Sequence, residues 1–194
     1  MRVGVLALQG DFALHVQALG RCGAEAVEVR KAGQLGDLDG LVIPGGESTT
    51  LLKLMEAGEF ALALGALHAA GKALFGTCAG LIVLAREVES PRQCSLGFID
   101  VTVERNAYGH QRESFEATGE AVLDGVATPI EMVFIRAPRI RRVGPGVDIL
   151  ARHDAEAVLV RQGTVLAGTF HPELTSSDAV HRYFCRMVQG AAGR

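Results

Sequence analysis

The sequence predicts an α/β fold, a mostly parallel sheet with helices on both faces and an antiparallel extension, on three observations. Apolar runs near 3 to 8, 25 to 30, 39 to 43 and 73 to 77 alternate with helical patterns, and that order implies parallel strands joined through right-handed crossover helices. From about residue 98 the runs become shorter and are joined by tight turns, as in hairpins. Between the two regions stands Gly76-Thr77-Cys78-Ala79-Gly80, where a strand turns abruptly into a helix.

Each element has a local reason. Val3-Gly4-Val5-Leu6-Ala7-Leu8 reads as a first strand. It is too short for a signal-peptide core, and Gln9 and Asp11 follow it where a small-residue cleavage site would stand, so a cytoplasmic location is the expectation. The strand Gly40-Leu41-Val42-Ile43 runs into Pro44-Gly45-Gly46-Glu47-Ser48-Thr49-Thr50, in which Ser48 or Thr49 suits the N-cap of a following helix. Ala73-Leu74-Phe75 leads to Cys78, and Leu81-Ile82-Val83-Leu84-Ala85 leaves it as a helix. Runs at 98 to 104, 114 to 118, 130 to 136, 147 to 152, 157 to 161 and 164 to 170 read as strands, with turns at Asp154-Ala155-Glu156 and Gln162-Gly163. Thr175-Ser176-Ser177-Asp178 has capping-box spacing and announces a last helix running to about Gln189.

Composition narrows the class. With 48% hydrophobic and 21% charged content, residues 1–194 are expected to form a single domain around one core. The longest apolar stretch, about 60 to 75, is broken by His68 and Lys72 and falls short of a bilayer span, so no membrane is expected. A net charge of −3 gives no reason to expect nucleic acid. Arg139, Arg141 and Arg142 form the one basic run, read as a solvated face with a phosphate patch as the alternative. Cys22, Cys78, Cys94 and Cys185 lack C-x-x-C spacing, which indicates neither zinc nor a disulfide framework, and all but Cys78 are read as packing residues. No histidine spacing of the H-x-x-x-H kind points to a metal.

Cys78 reads as a nucleophile elbow. The turn residue at such a junction takes a strained backbone conformation, and flanking glycines leave room for it. The helix that follows aims its N–H groups and positive end at the sulfur, favouring the thiolate. The alternative is a small buried hydrophobe in a glycine-rich turn. His171-Pro172-Glu173 follows the strand ending at Phe170. In an extended segment residues two apart point the same way, so the imidazole and carboxylate would be neighbours, a base and its orienter. An ordinary strand-to-loop turn is the competing explanation. Among His15, His68, His110, His153 and His181 none has a carboxylate so placed after a strand; His68 is read as a surface residue, and His153-Asp154 is the nearest rival. The N–H groups of Gly46 and Ala79 could supply two donors to a tetrahedral oxyanion. A plain strand-to-helix turn accounts for the same glycines.

In order and spacing, Pro44-Gly45-Gly46, Gly76-Thr77-Cys78-Ala79-Gly80 and His171-Pro172-Glu173 resemble the triad-type glutamine amidotransferases. Leu8-Gln9-Gly10, Val103-Glu104-Arg105-Asn106, Ser114-Phe115-Glu116, Phe134-Ile135-Arg136-Ala137-Pro138 and His171-Pro172-Glu173-Leu174-Thr175 narrow the resemblance to the glutaminase subunits of pyridoxal 5′-phosphate synthases, over nearly the whole chain. The resemblance implies a flavodoxin-like α/β sheet and a Cys-His-Glu site that hydrolyses L-glutamine to L-glutamate and ammonia through a thioester. Cys78, His171 and Glu173 would be catalytic, and Gly46, Glu47, Ser48, Arg105, Ile135 and Arg136 would contact glutamine. Physics supports part of this: buried glutamine needs partners for its α-carboxylate, which Arg105 or Arg136 suits, and for its α-ammonium, which a backbone carbonyl or Glu47 suits. No metal or organic cofactor is implied. The implied partner is a β/α-barrel synthase subunit, in a hetero-oligomeric complex that uses the ammonia to build the vitamin B6 cofactor, and glutaminases of this kind are quiet until docked. Leu14 stands where that family often has a charged residue and His110 where it usually has arginine. A cysteine hydrolase or redox chaperone of the same elbow superfamily, or a non-catalytic regulatory binding module, remain as alternatives.

Overall fold

The computed structural model describes residues 1–105 and 114–192 of the chain. It runs β1 Arg2–Leu6, α1 Phe12–Arg21, β2 Glu25–Val29, β3 Gly40–Ile43, α2 Ser48–Ala57, α3 Phe60–Ala69, β4 Ala73–Thr77 and the short α4 Ala79–Leu84. There follow β5 Ala85–Glu89, β6 Ile99–Glu104, β7 Ser114–Leu123, β8 Val126–Ile135, β9 Arg139–Val143, β10 Asp148–His153, β11 Glu156–Gln162, β12 Val165–Gly168 and α5 Ala179–Ala192.

Nine strands form one sheet in the order β2-β1-β3-β4-β12-β11-β10-β7-β8. The pairings from β2 through β12 are parallel and those from β12 to β8 antiparallel, so the expected parallel sheet and its antiparallel extension are halves of one structure. Alternation along the parallel strands sends side chains to two cores. Leu41, Ile43, Leu74 and Val165 join the cluster with Leu51, Met55 and Phe60 of α2 and α3. Val3, Val5, Val42, Phe75 and Leu166 join the cluster with Leu19 of α1 and Val180, Phe184 and Val188 of α5. Helices therefore cover both faces, and each fully buried large side chain contributes about 1.5–3 kcal/mol of burial free energy. Among the described residues no helix is long and apolar enough to cross a membrane.

Several elements depart from the sequence expectation. The run 98 to 104 does not join the extension but forms a separate three-stranded sheet, β5-β6-β9. Two of its strands escape a pattern reading: β5 buries only Ala85 and Val88, and β9 carries the arginine run. Those arginines are neutralised by neighbours, Arg139 by Glu156, Arg141 by Glu104 and Arg142 by Asp100, which explains a charge-rich strand on a solvated face. The hairpin β7–β8 is ten residues on each side, longer than the runs 114 to 118 and 130 to 136, because Gly119, Glu120 and Pro129 interrupt the apolar pattern in the half nearest the turn. The expected capping box does not form. Helix α5 begins at Ala179, Asp178 instead accepts from the Arg21 guanidinium, and Ser177 Oγ accepts from Ala179 N at 3.4 Å. Cys22 and Cys185 are packed against each other, whereas Cys94 is exposed rather than a packing residue. His68 is half-buried and stacks on Phe98, ring centroids 4.3 Å apart, rather than lying on the surface. His110, and with it the segment 106–113, lies outside the described residues.

Helix α4 leaves β4 so close to β3 that a Cβ on Gly80 would drive into the carbonyl oxygen of Ile43. Gly80→Ala is expected to lower the urea-unfolding free energy by about 1–3 kcal/mol, the usual range for overpacking. Gly65, inside α3 with open space around it, provides the contrast: Gly65→Ala should raise stability by about 0.5–1 kcal/mol. Equal effects at the two positions would contradict the close approach.

Candidate active site

Strand pairing builds the site. In the register of β4 with β12, Thr77 lies opposite Gly168. The N–H of Cys78 donates to the Gly168 carbonyl at 2.9 Å, and the chain leaving β12 reaches His171, whose N–H donates to Val133 of β8 at 2.8 Å. Thiol and imidazole thus meet at the carboxyl ends of parallel strands, where open α/β sheets place ligands. Cys78 sits at φ +48°, ψ −102°, a conformation non-glycine residues adopt only under the constraint of their surroundings.

His171 and Glu173 come together by a route other than the one read from sequence. His171 is the last extended residue, and Pro172–Leu174 then form a turn of 3₁₀ helix. Proline suits the first position of such a turn because it has no N–H to leave unpaired. The curl brings Glu173 Oε1 to 2.8 Å from His171 Nδ1. His171 and Glu173 are each 5% exposed and Cys78 6%. Burial opposes charge on His171, but hydrogen bonds to Cys78 and Glu173 and the charge on both hold its pKa up at about 10. Burial likewise opposes ionisation of Glu173, yet His15 and His171 together keep it well below the usual carboxylate range. His153, the rival base, instead packs against Phe115 and Phe134, 3.7 Å from the exposed Asp154 carboxylate.

The thiol opens into a cleft of about 220 Å³ lined by Gly46, Glu47, Ser48, Arg105, Ile135, Arg136 and His171, with Asp11, Ile82 and Pro138. The Ile135 carbonyl lies 3.9 Å from Cys78 Sγ. A larger open groove of about 510 Å³ lies between the β7–β8 hairpin and residues 174–176, lined by residues such as Glu116, Glu131 and Ser176, and the Ser176 hydroxyl there donates to the Glu131 carboxylate at 3.1 Å. On the floor of the cleft a Cβ at Gly45 would collide with the His171 ring, so only glycine admits the imidazole there. The Glu47 N–H donates to Gln9 Oε1 at 3.0 Å, which ties the loop to the end of β1.

Several side chains have duties that the sequence alone does not disclose. Glu47, not Ser48 or Thr49, caps α2, accepting from Thr49 N at 3.0 Å and Thr50 N at 2.7 Å; the Thr50 hydroxyl adds a further donor and holds its carboxyl at about 2. The Ser48 hydroxyl donates to Gln93 Oε1 at 3.1 Å. Arg105 donates to Thr49 Oγ1 at 3.1 Å and lies 3.6 Å from Glu47, its side chain mostly buried. Arg136, at φ +42°, is exposed and has no acidic partner among the described residues. Ala79 opens α4 directly after Cys78. Leu14 sits on α1 with no part in the cleft.

A thiol backed by imidazole and carboxylate, in a cleft that offers backbone donors and cations, is the equipment of enzymes that transfer acyl groups through a cysteine. Comparison with known proteins specifies the class: the chain belongs to the SNO glutamine amidotransferase family, whose model matches residues 5–190. A relative from Koribacter versatilis, named pyridoxal 5′-phosphate synthase subunit PdxT, is 55% identical over 190 residues, covering 97% of this chain and 96% of its own. One of the same name from Niallia circulans is 50% identical over 191 residues, covering 98% and 100%. A solved structure described as a glutamine amidotransferase is 50% identical with a TM-score of 0.88, covering 96% of this chain and 98% of that one. The structure of PurLQS from Thermotoga maritima, 15% identical with a TM-score of 0.71, shares the fold.

The pKa shifts set a pH profile for stability. His171 is raised in the fold, so its contribution is complete below about 6.5 and is lost as pH rises through about 10. Glu173 is depressed, so its contribution is present above about 4.5 and is lost as pH falls through its folded value. The urea midpoint should therefore be highest between about pH 4.5 and 6.5 and fall on both sides. Cys78→Ala removes one of the groups that raise His171, so the alkaline fall should be smaller and end at lower pH; an unchanged alkaline limb would mean that His171 does not pair with the thiol.

Proposed function

We propose that this chain hydrolyses L-glutamine to L-glutamate and ammonia through Cys78, His171 and Glu173, and delivers the ammonia to a synthase subunit that builds pyridoxal 5′-phosphate. The observation that carries the reading is the 2.8 Å pairing of His171 with Glu173 behind a thiol that faces a cleft bearing two arginines. Membership of a glutamine amidotransferase family and relatives named as synthase subunits support it.

The mechanism follows from the geometry. Glu173 accepts from His171 Nδ1, which leaves the other ring nitrogen to take the proton of Cys78. His171 takes that proton, and the sulfur attacks the side-chain amide carbon of glutamine. The N–H groups of Gly46 and Ala79 receive the oxyanion of the tetrahedral intermediate. The imidazolium returns its proton to the amide nitrogen, the C–N bond breaks and ammonia leaves a glutamyl thioester. Water, deprotonated by His171, then attacks the thioester; glutamate leaves and the thiol is restored.

Arg136 pairs with the α-carboxylate, having no acid of its own, while Arg105 and the Ile135 backbone flank the substrate. Since the Glu47 carboxylate is already engaged in capping α2, residues 46–48 meet glutamine through their backbone. The synthase partner is of the β/α-barrel type. Gly46, at φ +133°, belongs to the part of the oxyanion hole free to reorient, so basal turnover is weak and rises when the partner docks.

Glutamate formation is measured for the chain alone and with a pyridoxal 5′-phosphate synthase subunit. Cys78→Ala should abolish it with the fold intact, and His171→Asn should lower kcat by roughly three orders of magnitude or more. Arg136→Gln should raise KM about tenfold with kcat nearly unchanged. Wild-type turnover in Cys78→Ala would sink the mechanism, and silence of the wild type in every mixture would point to a different substrate or a binding module.

A further inference from the structure

Behind Glu173 the hydrogen-bonded array continues into the core. His15 of α1 and His181 of α5 are both 0% exposed. His15 Nε2 lies 3.2 Å from Glu173 Oε2, within ion-pair distance, and 3.3 Å from Thr77 Oγ1. On the opposite side of the ring, His15 Nδ1 lies 2.9 Å from His181 Nε2. Among the described residues Glu173 Oε2 takes no hydrogen bond of good geometry, the His15 nitrogen being its ion-pair neighbour, and His181 Nδ1 has no partner.

Donor and acceptor chemistry fixes the protons. Ionised Glu173 can only accept, so His15 carries its proton on Nε2. Its Nδ1 shares a hydrogen bond with Nε2 of a neutral His181. His181 has the environment for this, because burial, reinforced by His15, pushes its pKa down to about 3 and keeps it neutral. We propose that His15 is a positioning residue of the site: held in place by His181, it presents an Nε2–H to the second oxygen of Glu173 and fixes the carboxylate in the orientation that receives His171. The proposal deepens the glutaminase reading and rests on it for the reaction, though not for the array itself. His15 does not line the cleft, so it acts through Glu173 and not on the substrate.

The charged and titratable groups facing Glu173 are His171 in its own segment, His15 and Asp11 at the start of α1, and His181 from α5, with Cys78 beyond His171 and the Asp178–Arg21 pair beyond His181. Removing the His15 donor relieves one of the two influences that keep Glu173 ionised, so Glu173 takes a proton at higher pH. The acid limb of the activity profile then moves upward.

The test uses the chain in complex with its synthase subunit. His15→Phe should lower kcat for glutamate formation about 10–100-fold, the loss expected for a hydrogen bond to a buried charge. KM for glutamine should stay within about twofold and the acid limb should move to higher pH. His15→Gln, whose amide N–H can reach the same oxygen, should recover most of the rate. Imidazole ¹⁵N NMR of the unmodified protein needs no variant and should show His15 protonated on Nε2. A folded His15→Phe with wild-type kcat and acid limb, or a His15 protonated only on Nδ1, would overturn the proposal. A wild-type complex that makes no glutamate yet carries the predicted tautomer would sink the glutaminase reading and leave the array standing.

Discussion

Parallel pairing of β4 with β12 is the constraint on which the rest of the site depends. With Thr77 opposite Gly168, the next residue of one strand is the thiol and the third residue beyond the other is the imidazole. A slip of one residue would turn every side chain of β12 to the other face, sending Leu166 and Val165 to the wrong cores. The two apolar clusters thus specify the register, and the register specifies the chemistry. The same crowding at the strand ends explains why backbone, not side chain, fills the space around Cys78: Gly45 leaves room for the His171 ring and Gly80 lies against Ile43.

Charge is buried here only where it is paired. Glu173 lies inside the protein between two imidazoles, and without them its desolvation would keep it protonated. The same two contacts hold the carboxylate in place, so the electrostatic requirement and the geometric one have a single solution. At the mouth of the cleft the logic differs. Glu47 is ionised by its helix-capping donors and sits beside Arg105, whereas Arg136 stands exposed with a positive φ and has no acidic partner among the described residues.

Much of this was legible in the sequence. Period-two runs and the alternation of strand and helix carried the parallel half of the sheet, and the spacing of Pro44-Gly45-Gly46, Cys78 and His171 carried the arrangement at its edge. What stayed hidden depends on contacts distant in sequence. β9 reads as a charge run because its arginines are balanced by Glu156, Glu104 and Asp100 on other strands. The His171–Glu173 contact comes from a 3₁₀ turn, which the dipeptide rule for extended chains does not describe. His15 and His181 each sit on the apolar stripe of an amphipathic helix, beside Leu19 and Phe184; a histidine at such a position signals a buried partner but cannot name it. Asp11 and Pro138 reach the cleft only because their loops fold back over the strand ends.

The central claim is that Cys78, by its place and not by thiol chemistry in general, is the nucleophile for glutamine. Exposed Cys94 supplies the internal control. The complex with the synthase subunit is treated with a diazoketone analogue of glutamine, and the adducts are mapped by mass spectrometry. The account predicts one adduct, on Cys78, slowed by added glutamine and absent in His171→Asn, with Cys94 unlabelled. Labelling of Cys94 in preference to Cys78, or labelling of Cys78 that glutamine does not slow, would contradict it.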